Sequence, residues 1–135
     1  MVAAAGRVAE PSHPGLGRVN AMLDQWSKAD KRVARRLFDA ALQAEQQELM
    51  QRFKAMAQAA AEPDDLWAVR DFLDKAGRAL DRKYDFRYSQ LAFLFARLLH
   101  EGRIHKQDLR AFSEPVYELI LRIVSLAAAQ EGEAS

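Results

Sequence analysis

Apolar residues recur at helical spacing from Trp26 onward, and no stretch alternates with period two for long enough to make a strand. The first run sets Phe38, Leu42, Leu49, Phe53, Met56 and Ala60 near heptad spacing, with Glu45 the one polar position among them. Ser27 stands where a helix cap belongs, with Asp30 three residues on as a weaker form of the capping box. A helix over about 27–61 would reach roughly 50 Å at 1.5 Å per residue. That exceeds the span of a compact domain of 135 residues, so part of it must pack on another copy or form a stalk.

Pro63 is expected to end this helix, and Asp64 or Asp65 to cap a second one over about 65–83. On the second helix Leu66, Val69 and Leu73 share a stripe that Ala76 and Leu80 continue. Trp67 lies off it, on the side of Asp71, Asp74 and Arg78. The segment K-Y-D-F-R-Y-S (83–89) breaks the pattern. A third helix follows through Q-L-A-F-L-F-A-R-L-L-H, apolar on nearly all sides and therefore expected to be buried, with Gly102 closing it. Asp108 to Phe112 reads as a short helical turn, and Ser113 with Pro115 opens a last helix through V-Y-E-L-I-L-R-I-V-S-L.

The fold class is thus all-α, a long-helix stalk over about 27–83 and a small helical head over about 86–130. Residues 1–20 hold three of the six glycines and two of the four prolines without periodicity. They read as a mobile tail ahead of a single domain over 21–130.

Charge and composition narrow the function. Half the residues are hydrophobic and 29% are charged, which suits a globular chain. The net charge of +1 argues against a general nucleic-acid binder. The absence of cysteine removes disulfides, thiolate metal sites and thiol nucleophiles together. No run of 18 apolar residues predicts a membrane span, and the N-terminal M-V-A-A-A-G-R-V-A-E lacks a signal-peptide core, so a cytoplasmic location is expected.

Candidate chemistry is sparse. His100-Glu101-Gly102-Arg103-Ile104-His105 resembles a zinc-protease motif, but the histidines are five apart and Gly102 interrupts the helix that should carry both. No glycine-rich phosphate cradle and no serine elbow is present. No metal, cofactor or catalytic residue is therefore expected. Lys28, Lys31, Arg32, Arg35 and Arg36 form a basic band, readable as a solvated face or as a site for a partner's acidic patch. Trp67 among charges is the position least suited to water, and burial against another chain would account for it.

At these residues the chain resembles the fluorescence recovery protein family of cyanobacterial photoprotection. The motif is D-D-L-W-x-x-x-D-F-L (64–73), L-D-x-K-Y-D-x-R-x-S (80–89) and F-x-F-A-x-L-x-x-E-G (93–102), with W-S-x-A (26–29) and A-x-x-L-F-x-x-A (34–41) upstream. The resemblance covers about residues 26–112. It implies an all-α homodimer without pigment or other cofactor. It also implies a non-enzymatic regulator that binds the light-activated orange carotenoid protein, chiefly at its C-terminal domain, and speeds its return from the red to the orange form. By position, Trp67, Arg70, Asp71, Asp74 and Phe93 would contact the partner, and Leu66, Trp67 and Leu73 would line the dimer seam. Arg70 replaces a histidine of the family's patch, and Gly77 an arginine. The family also has relatives outside photosynthetic organisms, so an adaptor of the same fold for a different protein is the alternative.

A chain starting at Asn20 should keep its helical circular dichroism and its melting temperature to within a few degrees, because the removed residues offer little to bury. A larger loss would show that the tail packs on the domain.

Overall fold

The computed structural model describes residues 26–134; the segment expected to be a mobile tail, residues 1–20, lies outside the described residues. Among the described residues five helices follow one another: α1 (Lys28–Ala59), α2 (Pro63–Lys83), α3 (Tyr88–His100), α4 (Lys106–Leu109) and α5 (Glu114–Ala134). The described residues contain no strand, in agreement with the hydropathy pattern.

Helix α1 starts where the sequence placed it. The Ser27 hydroxyl accepts from the Asp30 N–H at 3.0 Å, and the Asp30 carboxylate accepts from the Ser27 N–H at 3.1 Å, a full capping box. The next junction differs from expectation. α1 ends at Ala59, Glu62 is the N-cap of α2, and Pro63 begins α2 at its first position. There its missing N–H costs nothing and its fixed φ already suits the helix. Asp65 is not the cap residue. Its carboxylate closes the turn from inside, accepting from the N–H groups of Ala61 (2.8 Å) and Glu62 (2.9 Å).

The first four turns of α1 belong to the head. Val33, Ala34, Leu37, Phe38 and Ala41 are buried with Leu91, Leu94, Phe95 and Leu98 of α3 and Val116, Tyr117 and Ile120 of α5. Aromatic rings run through this core in unbroken edge or tilted contacts: Phe95, Phe112, Trp26, Tyr88, Phe86, Phe38 and Tyr84, with centroids 4.9–5.9 Å apart. α3 departs from the all-round burial expected of it. Its six buried residues face α1 and α5, and Phe93, Arg97 and His100 lie on an open side.

Asp30 does more than cap. It is 1% exposed, and it also accepts from the N–H and the hydroxyl of Ser113, both at 2.7 Å. One carboxylate so fastens the start of α1 to the residue that precedes α5. Burial opposes its ionisation, but the hydrogen bonds from Ser113 and Ser27 outweigh that and hold its carboxyl below the ordinary carboxylate range.

The rest of α1 and all of α2 form a two-helix arm. Leu49, Phe53 and Met56 of α1 and Val69, Phe72 and Ala76 of α2 are half-buried, and α2 has no fully buried residue. Arg52 lies over the Phe72 ring, 4.8 Å from its centroid.

Asp30→Ala should cost about 3 kcal/mol at neutral pH, because it leaves buried donors on both Ser27 and Ser113 without an acceptor. Urea unfolding at stepped pH checks the sign. A carboxylate with a lowered folded pKa stabilises the fold above the carboxylate range and loses that contribution as pH falls through its folded value. The gap between wild type and Asp30→Ala should therefore narrow on acidification. A gap that stays constant would assign the loss to packing rather than to the charge.

Candidate functional site

Two side chains packed together shelter only the surfaces they share, and α2 is broader in its apolar residues than α1 can cover. The half-buried line Val69, Phe72, Ala76 and Leu80 meets α1 and the base of the head. Leu66 and Leu73, expected on that same line, are turned outward at 60% and 42% exposure. Trp67 is 55% exposed, as its position off the stripe predicted. Met50 of α1 is exposed as well, a residue that the heptad pattern did not single out.

Charged neighbours are held in register around Trp67. The Arg70 guanidinium lies 5.2 Å from the Trp67 ring centroid and donates to Asp71 Oδ1 through Nε (3.3 Å) and Nη2 (3.1 Å). Arg70 thereby joins Trp67 to Asp71, a connection that the spacing of Trp67 and Asp71 alone did not reveal. Among the described residues, the Asp71 acceptor is used by Arg70 rather than by the indole. One turn on, Asp74 accepts from Arg78 at 3.3 Å. All four pairing groups are more than 60% exposed, so these pairs contribute little stability and are open to exchange for contacts with another chain.

Phe93 does not join this cluster. It stands on the open side of α3 at 53% exposure and lines a groove of about 220 Å³ with Ala96, Arg97, Ile123 and Val124. The two expected contact regions are thus separate surfaces, one on the arm and one on the head. The histidines of the discarded zinc motif also part company: His100 is the last residue of α3, and His105 is the N-cap of α4.

Between arm and head lies a charge network that sequence reading did not assemble. Glu45, the polar position in the α1 stripe, accepts from Lys83 Nζ and from the Tyr84 hydroxyl at the end of α2. Lys83 also reaches Glu101 Oε1 at 2.7 Å, and Arg97 donates to Glu101 Oε2 at 2.9 Å. Arg103 grips Glu48 with both terminal nitrogens at 2.8 Å each and reaches Glu45 at 3.3 Å. Gly102 makes this reach possible. Its φ of +77° lets Gly102 N–H bond Leu99 O and Arg103 N–H bond Leu98 O, a Schellman end that turns the chain back toward α1. Burial resists ionisation of Glu101, but Lys83 and Arg97 hold its carboxyl below the ordinary range. For Tyr84, burial and then the Glu45 hydrogen bond push the phenol upward, so it stays a donor. The lone glutamate of the stripe was the signal that pointed here.

These groups hold a shape and offer contacts. Residues 26–122 match the family described as photoprotection regulator fluorescence recovery protein. Over 84 residues the chain is 39% identical to the fluorescence recovery protein of Synechocystis sp. (strain PCC 6803), a stretch that covers 62% of this chain and 77% of that relative. The solved structure of the fluorescence recovery protein from Synechocystis sp. PCC 6803 superposes with a TM-score of 0.67 at 34% identity, covering 74% of this chain and 98% of that one. The one from Fremyella diplosiphon does so with a TM-score of 0.66 at 31% identity, covering 73% and 96%. The chain is a member of the fluorescence recovery protein family of photoprotection regulators.

Proposed function

We propose that the protein works as a homodimer that binds photoactivated orange carotenoid protein through its C-terminal domain and accelerates the return from the red to the orange form. The observation that carries this reading is the uncovered face of α2. In a single copy Leu66, Leu73 and Trp67 leave apolar side chains open to solvent, with Arg70 and Asp71 beside Trp67. An aromatic centre with arginine and carboxylate at its rim is the composition of an interface hot spot. Gly77 continues the line of Leu66, Arg70 and Leu73 at helical spacing, with open space around the position a side chain would take. A glycine in mid-helix costs about 0.5–1 kcal/mol relative to alanine, and a facing helix that approaches closely there would compensate for it.

Leu66, Trp67 and Leu73 are assigned to the dimer seam, and Trp67, Arg70, Asp71, Asp74 and Phe93 to the contact with the carotenoid protein. To accelerate relaxation, the dimer must bind the transition state of back-conversion more tightly than it binds the red form. Phe93 on the head and the Trp67 cluster on the arm could then touch two parts of the partner at once. The same fold serving a different protein is the competing reading, favoured by Arg70 and Gly77, where this chain departs from the family's patch.

Leu66→Glu should give monomers in size-exclusion chromatography with light scattering, because it places an unpaired charge in the seam at a cost of several kcal/mol. An unchanged dimer mass would move the seam elsewhere. In the dark, added wild type should speed the red-to-orange absorbance decay of photoactivated orange carotenoid protein. Trp67→Ala, losing roughly 2 kcal/mol or more of interface energy, and Asp71→Leu should largely abolish the effect while remaining helical. No acceleration by wild type would leave the adaptor reading, and full acceleration by both variants would remove these residues from the site.

A further inference from the structure

The basic band at the start of α1 has no part in the surfaces described so far. At ~100° per residue, Lys28, Lys31, Arg32, Arg35 and Arg36 fall on one arc of about 140°, opposite the buried Asp30, Ala34 and Leu37. All five are exposed. Arg35 pairs with Asp39 at 3.2 Å and lies 3.6 Å from the Phe86 ring centroid, and Lys31 sits 5.0 Å from that of Tyr88. Lys28, Lys31, Arg32 and Arg36 have no ion-pair partner among the described residues, whereas on the arm Arg70 and Arg78 do, and at the junction three carboxylates meet three cations.

The helix is harmed by this arrangement. Cations in the first turns oppose the helix dipole, and Lys28/Arg32, Lys31/Arg35 and Arg32/Arg36 are like charges four residues apart. The one carboxylate of the first turn, Asp30, is spent on Ser27 and Ser113. At Lys28, Arg32 and Arg36 no ion pair or ring contact among the described residues offsets the broken rule, which marks a surface shaped by something outside the fold.

We infer that this band is a docking surface for a carboxylate-rich segment of another protein. It spans about 12 Å of a convex helix at 1.5 Å per residue, which matches a short acidic segment and leaves no cleft for a small anion. The four cations without an ion pair would neutralise few of a duplex's closely spaced phosphates, and the chain's net charge of +1 adds little further attraction. The surface is also preorganised: the far side of the same turns is locked into the core by Asp30, and two of the cations rest on fixed rings.

The test titrates the full chain into fluorescein-labelled poly-L-glutamate, with a DNA duplex and phosphatidylglycerol vesicles as comparison probes. Wild type should bind the glutamate peptide at low salt and weaken about tenfold or more by 150 mM salt, where the screening length is about 8 Å. The triple variant Lys28→Gln, Arg32→Gln, Arg36→Gln should bind at least about tenfold more weakly at low salt. Its melting temperature should be unchanged or raised, since repulsions within α1 are relieved. Equal binding by the triple variant, no binding by wild type at low salt, or tighter binding of the duplex or vesicles through these residues would overturn the proposal. So would a melting temperature lowered by more than a few degrees, which would make the cations structural.

Discussion

A pair of helices laid side by side buries one stripe of each and leaves the remainder to solvent or to another molecule. In this chain the pair is the arm built from the later turns of α1 and the whole of α2, and among the described residues no third helix lies over it. The consequences run through the molecule. Apolar side chains on α2 stay open, the arm has little stability of its own, and its direction must be set at its base. α1 supplies the continuity by running from the core of the head into the arm without a break over 32 residues.

The base of the arm is fixed by charge. Glu45 and Glu48 from α1, Lys83 from α2, and Arg97, Glu101 and Arg103 from the end of α3 and its turn interlock where four chain segments meet. Lys83 and Glu45 are largely withdrawn from water, so removing either would strand a charge, and salt screens such a pair far less than an exposed one. At the opposite end of the head, Asp30 performs the matching task for α1 and α5. Both fastenings use hydrogen-bonded carboxylates, which have directional partners where apolar packing alone would tolerate sliding.

Much of this was legible in the sequence, and the rest was not for definite reasons. The helices themselves, the Ser27–Asp30 box and the closing role of Gly102 depend on residues within a few positions of each other, so local rules find them. The second role of Asp30 depends on Ser113, 83 residues away, and no spacing rule reaches that far. α3 misled because an apolar composition does not state how many neighbours a helix will have, and only two sides of it are met. Leu66 and Leu73 misled in the same way: the wheel placed them with Val69, but a single flanking helix covers a narrower sector than the apolar stripe. Trp67 was read correctly as exposed in one copy, although Arg70 between it and Asp71 was not foreseen as their link.

Since α2 contributes no fully buried side chain, its outer face answers hardly at all to the core of its own chain. Mutations in the core of the head are screened by whether the protein folds, and mutations on the outer face of α2 by what the folded protein meets. The two can therefore drift at different rates and under different selection. A lineage that changed partners could rewrite positions such as 70 and 77 while the head stayed constant. The outer face of the arm is the part of this architecture where the sequence can change with least risk to the fold.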